Sequence, residues 1–136
     1  MTDIALTTAA RVNVVESIVQ MTLPAAEAIT AGNAVRIDTS TGKFTKANGS
    51  SAGEARIYGI AVRSVASGFP VTAVRKGVMD GFDLSGLNYD AAIYLSDTDG
   101  TIADSTGTTS VTVGRVIPGT SEALGTANSK LLFVDL

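Results

Sequence analysis

Hydrophobic positions along the chain come in short runs broken by glycine, threonine, serine and asparagine, the rhythm of strands and turns in all-β proteins. Alternation and β-branched content predict strands at Val35 to Ile37, Arg56 to Val65, Val71 to Arg75, Ala92 to Leu95, Thr109 to Ile117 and Lys130 to Val134. In "SVTVGRVI" the apolar positions Val111, Val113 and Val116 lose phase at Gly114, which predicts a bulge or a close backbone approach there. Strands this short imply an all-β small barrel or sandwich of about eight to ten strands.

The segment "ARVNVVESIVQMTLP" fits two patterns. Val14 with Ile18 and Val15 with Val19 suit one helical face, whereas the β-branched content and the stop at Pro24 suit a strand. No N-cap followed by Glu or Gln opens it, so the strand is preferred. Before it, Met1 to Ala10 has neither period nor turn signal and reads as an arm, mobile until something holds it. The domain reading is therefore 1–24 as N-terminal arm and first strand, and 25–136 as one β-barrel domain.

An internal echo organises the remainder. "AVRIDTSTGKFTKA" from Ala34 aligns without gaps with "AIYLSDTDGTIADS" from Ala92, an offset of 58 residues. Each copy reads as a hairpin whose connection ends in Gly42 or Gly100, the residue type that takes a positive φ freely. Each is followed by a polar loop, a strand bearing a glycine ("RIYGIAV", "VTVGRVI") and a closing strand ("VTAVR", "LLFVD"). The echo predicts two copies of one four-strand unit.

At 136 residues the chain suits one hydrophobic core. Cysteine and histidine are absent, which removes disulfides, Ser-His-Asp and Cys-His catalysis and nearly all zinc sites. The expectation is therefore no enzyme. A net charge of -3 with the basic residues spread thinly argues against nucleic acid as a partner. No apolar run reaches the roughly 18 residues of a membrane span, and Asp3 sits where a secretory signal would be positive. No membrane partner is expected.

The acidic run Asp97 to Gly100 invites a calcium loop. With Asp97 as first ligand, that pattern needs Gly at the sixth place and Glu at the twelfth, where the chain has Ile102 and Thr108. The equivalent turn of the first copy, Thr39 to Gly42, has no carboxylate of its own. A plain hairpin turn is the reading, with weak calcium binding at Asp97 and Asp99 as the alternative. Asp80, Asp83, Asp97, Asp99 and Asp104 show no spacing that marks an acid and base pair, and read as solvated turn residues. "VRKGVMDG" has Lys before Gly and no following helix, so it is a strand end and corner and not a phosphate loop.

Taken in order, "ITAGNAVRIDTSTGKFTKA", "IYGIAV", "ASGFPVTAVRKGVMDG", "YDAAIYLSDTDGTI", "VGRVI" and "KLLFVDL" resemble the capsid decoration, or cement, proteins of tailed bacteriophages, over about residues 25–136. The resemblance implies a small β-barrel or β-tulip-like sandwich and a virion protein made in the host cytoplasm. It would sit on the outer surface of the head, commonly as a homotrimer, and clamp the major capsid protein lattice, with no catalytic residue and no cofactor. It also implies an N-terminal region that reaches a neighbour, carried here to Thr2, Asp3, Ile4, Ala5, Leu6, Val12, Val14 and Val15 as capsid or subunit contacts. The alternative from another class is a tail-fibre or adhesin module binding a host-surface glycan, against which the shortage of Trp and Tyr counts.

Overall fold

The structure is a computed structural model that describes residues 2–119 and 130–136. It is all-β: a short 3-10 turn at Ala9–Arg11, then β1 (Asn13–Pro24), β2 (Ala34–Ile37), β3 (Phe44–Lys46), β4 (Ile57–Ala61), β5 (Pro70–Asp80), β6 (Ala92–Leu95), β7 (Ile102–Ala103), β8 (Thr112–Pro118) and β9 (Lys130–Asp135). The strands form one curled antiparallel sheet in the order β3-β2-β4-β5-β9-β8-β6-β7, with β1 paired to β5. The order reads the same in unit terms from either end. Two four-strand units, β2 to β5 and β6 to β9, meet through their last strands.

The repeat holds at the level of register. The hairpin pair Ile37↔Phe44 recurs as Leu95↔Ile102, and the turn glycines Gly42 and Gly100 have φ of 70° and 71°. Between β2 and β4 the pairing steps from Val35↔Gly59 to Arg36↔Ile57, leaving Tyr58 over. Between β6 and β8 it steps from Ile93↔Gly114 to Tyr94↔Thr112, leaving Val113 over. These are the same bulge at equivalent residues. A Cβ at Gly59 would lie 2.4 Å from the Val74 carbonyl oxygen, and one at Gly114 would lie 1.8 Å from that of Phe133. Ile60 pairs with Val74 as Arg115 pairs with Phe133, so Val74 and Phe133 are equivalent too. Counting on, Lys76 matches Asp135, and these two pair with each other across β5 and β9. The local two-fold relation passes through that pair.

One strand expectation changes and another holds. β5 does not end at Arg75 but runs to Asp80, so "VRKGVMDG" is mostly strand. Gly77 makes this possible, since a Cβ there would lie 2.3 Å from the Glu16 carbonyl oxygen on β1. The corner comes at Gly81, with φ of 104°. The ambiguous first segment is a strand, twelve residues long.

The larger change concerns residues 2–12. They are not a free arm: Ile4 N–H donates to the Ile102 carbonyl (2.9 Å), Thr7 N–H to Gly81 (2.8 Å), and Asp83 N–H to Ala5 (2.8 Å). Ile4 and Val12 are each only 8% exposed and belong to the main core with Ile60, Met79, Ile93 and Leu132. On the other side of β1, Ala26 N–H donates to the Phe44 carbonyl (2.8 Å). Phe44 and Ile102 are equivalent in the repeat, so the two flanks of β1 cap the two outer strands, β3 and β7. This covers edges that would otherwise expose unpaired backbone groups.

Candidate functional site

The eight expected contact residues divide sharply. Ile4 and Val12 are core; Leu6 and Val14 are half-buried and pack against it. Thr2, Asp3 and Ala5 are exposed, but their backbones are committed within the chain. Asp104 N–H donates to the Thr2 carbonyl, Asp3 bridges Ala103, and Ala5 accepts from Asp83. The Asp3 carboxylate also accepts from the hydroxyl of Ser96, which is fully buried. Of the eight, only Val15 offers a large apolar side chain to solvent, at 50% exposure. Val12 and Val14, expected to seat against a partner, turn toward the chain's own core, Val12 almost fully and Val14 in part.

The acidic hairpin tip is internally bonded as well. The Asp97 carboxylate accepts from the Thr108 amide (2.9 Å) and hydroxyl (2.7 Å), and Asp99 accepts from the Asn48 side-chain amide (3.1 Å). These bonds tie the tip to the 104–111 loop and to the loop after β3. Among the described residues no group of three or more carboxylates converges on a metal-sized site.

What the molecule leaves uncovered is β1. It pairs with β5 along its length, yet every residue from Val15 to Thr22 is exposed. Val15, Ile18 (57% exposed), Val19 and Met21 account for four of the seven large exposed hydrophobic side chains among the described residues. Phe69 (62% exposed) extends the strip, since it precedes Pro70, which pairs with Pro24 at the end of β1. Glu16 is the only charged residue of the strand. Large apolar side chains left exposed together along one strand of a folded domain mark an interaction surface.

The local register explains how aliphatic residues of both parities end up outside. The β1–β5 pairing shifts around Val15 and again around Ile18, so each is an extra residue on β1. Such shifts twist an edge and interrupt its hydrogen-bonding row, so β1 is a poor template for continuous strand addition. Its apolar side chains remain available for packing. Ile18, Val19 and Met21 escaped the sequence reading because a run with apolar residues of both parities is also how a strand buried on both faces reads.

One carboxylate in the caps has a shifted titration. Partial burial raises the Glu27 carboxyl, but bonds from the Thr45 hydroxyl and the Lys46 amide, with the charges of Lys46 and Arg36, outweigh it and hold the group below its ordinary value. Glu27 thus fastens the segment after β1 to β3. No family model, curated protein or solved structure matches the chain.

Proposed function

We propose that this protein is a capsid decoration protein of a tailed bacteriophage, docking on the outer face of the head through the apolar strip of β1 and stabilising the major capsid protein lattice. The observation that carries the reading is the uncovered strip on a barrel whose outer strands are otherwise capped, together with the ordered resemblance of residues 25–136 to that family. A protein that binds the assembled shell and not its separated parts adds its binding free energy to the cost of dissociation. No chemistry is required of it.

Magnitudes favour a multivalent mode. Burying the half-exposed side chains of the strip contributes about 1 kcal/mol each, near 5 kcal/mol with Phe69 included. Association costs about 4 to 15 kcal/mol in lost freedom. A single strip therefore holds weakly, whereas a trimer presents three and converts later contacts into intramolecular ones. The trimer belongs to the proposal on this ground. The glycan-binding alternative draws less support, because only Phe69 and Tyr89 of the large exposed hydrophobics are aromatic.

The deciding experiment is electron microscopy of purified virions, with the protein added back to heads that lack it. Density on the outer shell, lost with Ile18→Lys while the variant keeps its fold, is the expected result. Density on the tail, or undiminished head binding by Ile18→Lys, overturns the reading.

A further inference from the structure

The two bulged residues Tyr58 on β4 and Arg75 on β5 meet on the outer face of the first unit. Arg75 is left over between the pairs Val19↔Lys76 and Gln20↔Val74, as Tyr58 is between the β2 pairs. Its guanidinium donates to the Tyr58 carbonyl (3.2 Å) and lies 5.3 Å from the centre of the Tyr58 ring. A bulge re-aims a side chain. Here both are aimed into one cleft of about 430 Å³, lined also by Ile37, Thr39, Arg56 and Ile57.

Arg56 and Arg75 both line the cleft, and no acidic residue does. That is unusual for a chain with 13 acidic and 10 basic residues, which has acids to spare. The ion pairs among the described residues are Lys76–Asp135 and Arg115–Asp90, and neither uses Arg56 or Arg75. The acids next to lining residues along the chain are engaged in their own turns: Asp38 accepts from the Ser40 amide, and Glu54, beside Gly53 of the lining, accepts from the Ser50 and Ser51 hydroxyls. Arg75 spends one donor on Tyr58, and its ring contact holds the rest of the fork in place.

We propose that this cleft binds an acidic side chain of a partner protein, an Asp or Glu carboxylate held between Arg56 and Arg75, with neighbouring apolar atoms of that partner against Ile37 and Tyr58. Ile37 is 41% exposed and supplies the apolar wall. Two guanidiniums match the charge and the planar oxygens of one carboxylate. A nucleic acid backbone is disfavoured because binding there scales with the number of phosphates neutralised, and the cleft offers two cations on a chain whose net charge is -3. The inference stands apart from the capsid reading, since it rests on other residues, Arg56, Tyr58 and Arg75, and concerns any acidic protein segment.

The test is a titration of the ¹⁵N-labelled full chain at constant ionic strength, following the arginine Nε–H resonances by NMR. The probes are acetyl-Ile-Glu-Leu-amide, its Gln counterpart acetyl-Ile-Gln-Leu-amide, and inorganic phosphate. The Glu peptide is expected to shift the Arg56 and Arg75 signals saturably in the millimolar range, and the Gln peptide to bind about tenfold more weakly, as loss of a charge-assisted bond implies. Arg56→Gln, at an exposed position, is expected to weaken the Glu peptide about tenfold with the amide spectrum otherwise retained. Equal binding of the two peptides, no saturable shift up to about 10 mM, or binding of phosphate as tight as the Glu peptide would each overturn the proposal.

Discussion

The two four-strand units share a backbone plan and differ in what lies over it. In both, a hairpin turns at a positive-φ glycine, a bulge precedes a strand glycine, and that glycine meets the carbonyl of an equivalent residue. The side chains then diverge. Phe44 lies in a second, smaller cluster with Ala25, Ile29 and Val71 on the outer face of the first unit, whereas its counterpart Ile102 sits in the main core. The bulged Tyr58 helps to form a half-open cleft, while its counterpart Val113 is fully buried. Register is fixed by a few positions where a Cβ cannot fit; surface chemistry is free to change around them.

If that is so, the close-approach glycines are where either unit breaks most easily. Gly114→Ala is expected to cost about 3 kcal/mol or more, because its Cβ would meet backbone and not a side chain that can turn away. Gly59→Ala should cost less, since its approach is 2.4 Å against 1.8 Å. Urea midpoints of the two variants order the sites, and equal small losses would show that the shared approach does not hold the register.

The caps sharpen the contrast next. Ile4 covers the second unit from the chain's N-terminal end, and Ile4→Ala is expected to cost about 2 to 4 kcal/mol as a buried large-to-small change. Deleting residues 1–10 should destabilise the barrel more than that, also freeing β7 and the end of β5. A truncated protein with the thermal midpoint of the full chain would restore the picture of a detachable arm.

The hairpin glycines give a finer comparison. Gly42 and Gly100 have nearly the same φ, so an alanine at either pays about 1 kcal/mol for the left-handed backbone. Around Gly42 a Cβ meets nothing within 4 Å, but at Gly100 it would lie 3.1 Å from the Asn33 side chain, whose amide donates to the Gly100 carbonyl. Gly100→Ala should therefore lose more than Gly42→Ala in a denaturant titration. Equal losses would mean that Asn33 yields.

These differences mark what the sequence could tell. The echo at an offset of 58 residues was readable because strand, turn and glycine recur in order, and the phase break at Gly114 was readable because a period-2 pattern cannot hide an extra residue. The docking of Ile4 was not, since its partner Ile102 is far along the chain and the segment has no period of its own. The exposure of β1 was hidden for the reason that a strand open on both faces and one buried on both faces have similar composition. The convergence of Arg56 with Arg75 depends on two bulges, each visible only once the strands are paired.

At the junction of the units, Lys76 and Asp135 lie 3.7 Å apart with both side chains about half exposed. A double-mutant cycle with Lys76→Met and Asp135→Asn should return about 0.2 to 1 kcal/mol, falling with salt. The junction is held mainly by the apolar β5–β9 contacts of Met79, Leu132 and Val134. A coupling well above that range would make the ion pair the clasp of the two halves.

The smallest effect separates the two caps by pH. Because the folded Glu27 carboxyl lies below its ordinary value of 4.5, its contribution is fully present above that value and is lost as pH falls through the lower folded value. Asp38 and Asp83, held low by bonds from Ser40 and Ser85, share the same acid window but lie in exposed turns outside the cap, Asp38 in the β2–β3 hairpin and Asp83 after β5. Glu27→Gln keeps an oxygen for the Thr45 hydroxyl and removes only the charge. The variant should be less stable than the parent near pH 7, and the two should converge below the folded value as the parent carboxyl protonates. Urea midpoints measured from pH 7 down to about pH 3 test this; a gap unchanged across that range would mean that the cap on β3 rests on the Ala26 backbone bond, as the cap on β7 rests on that of Ile4.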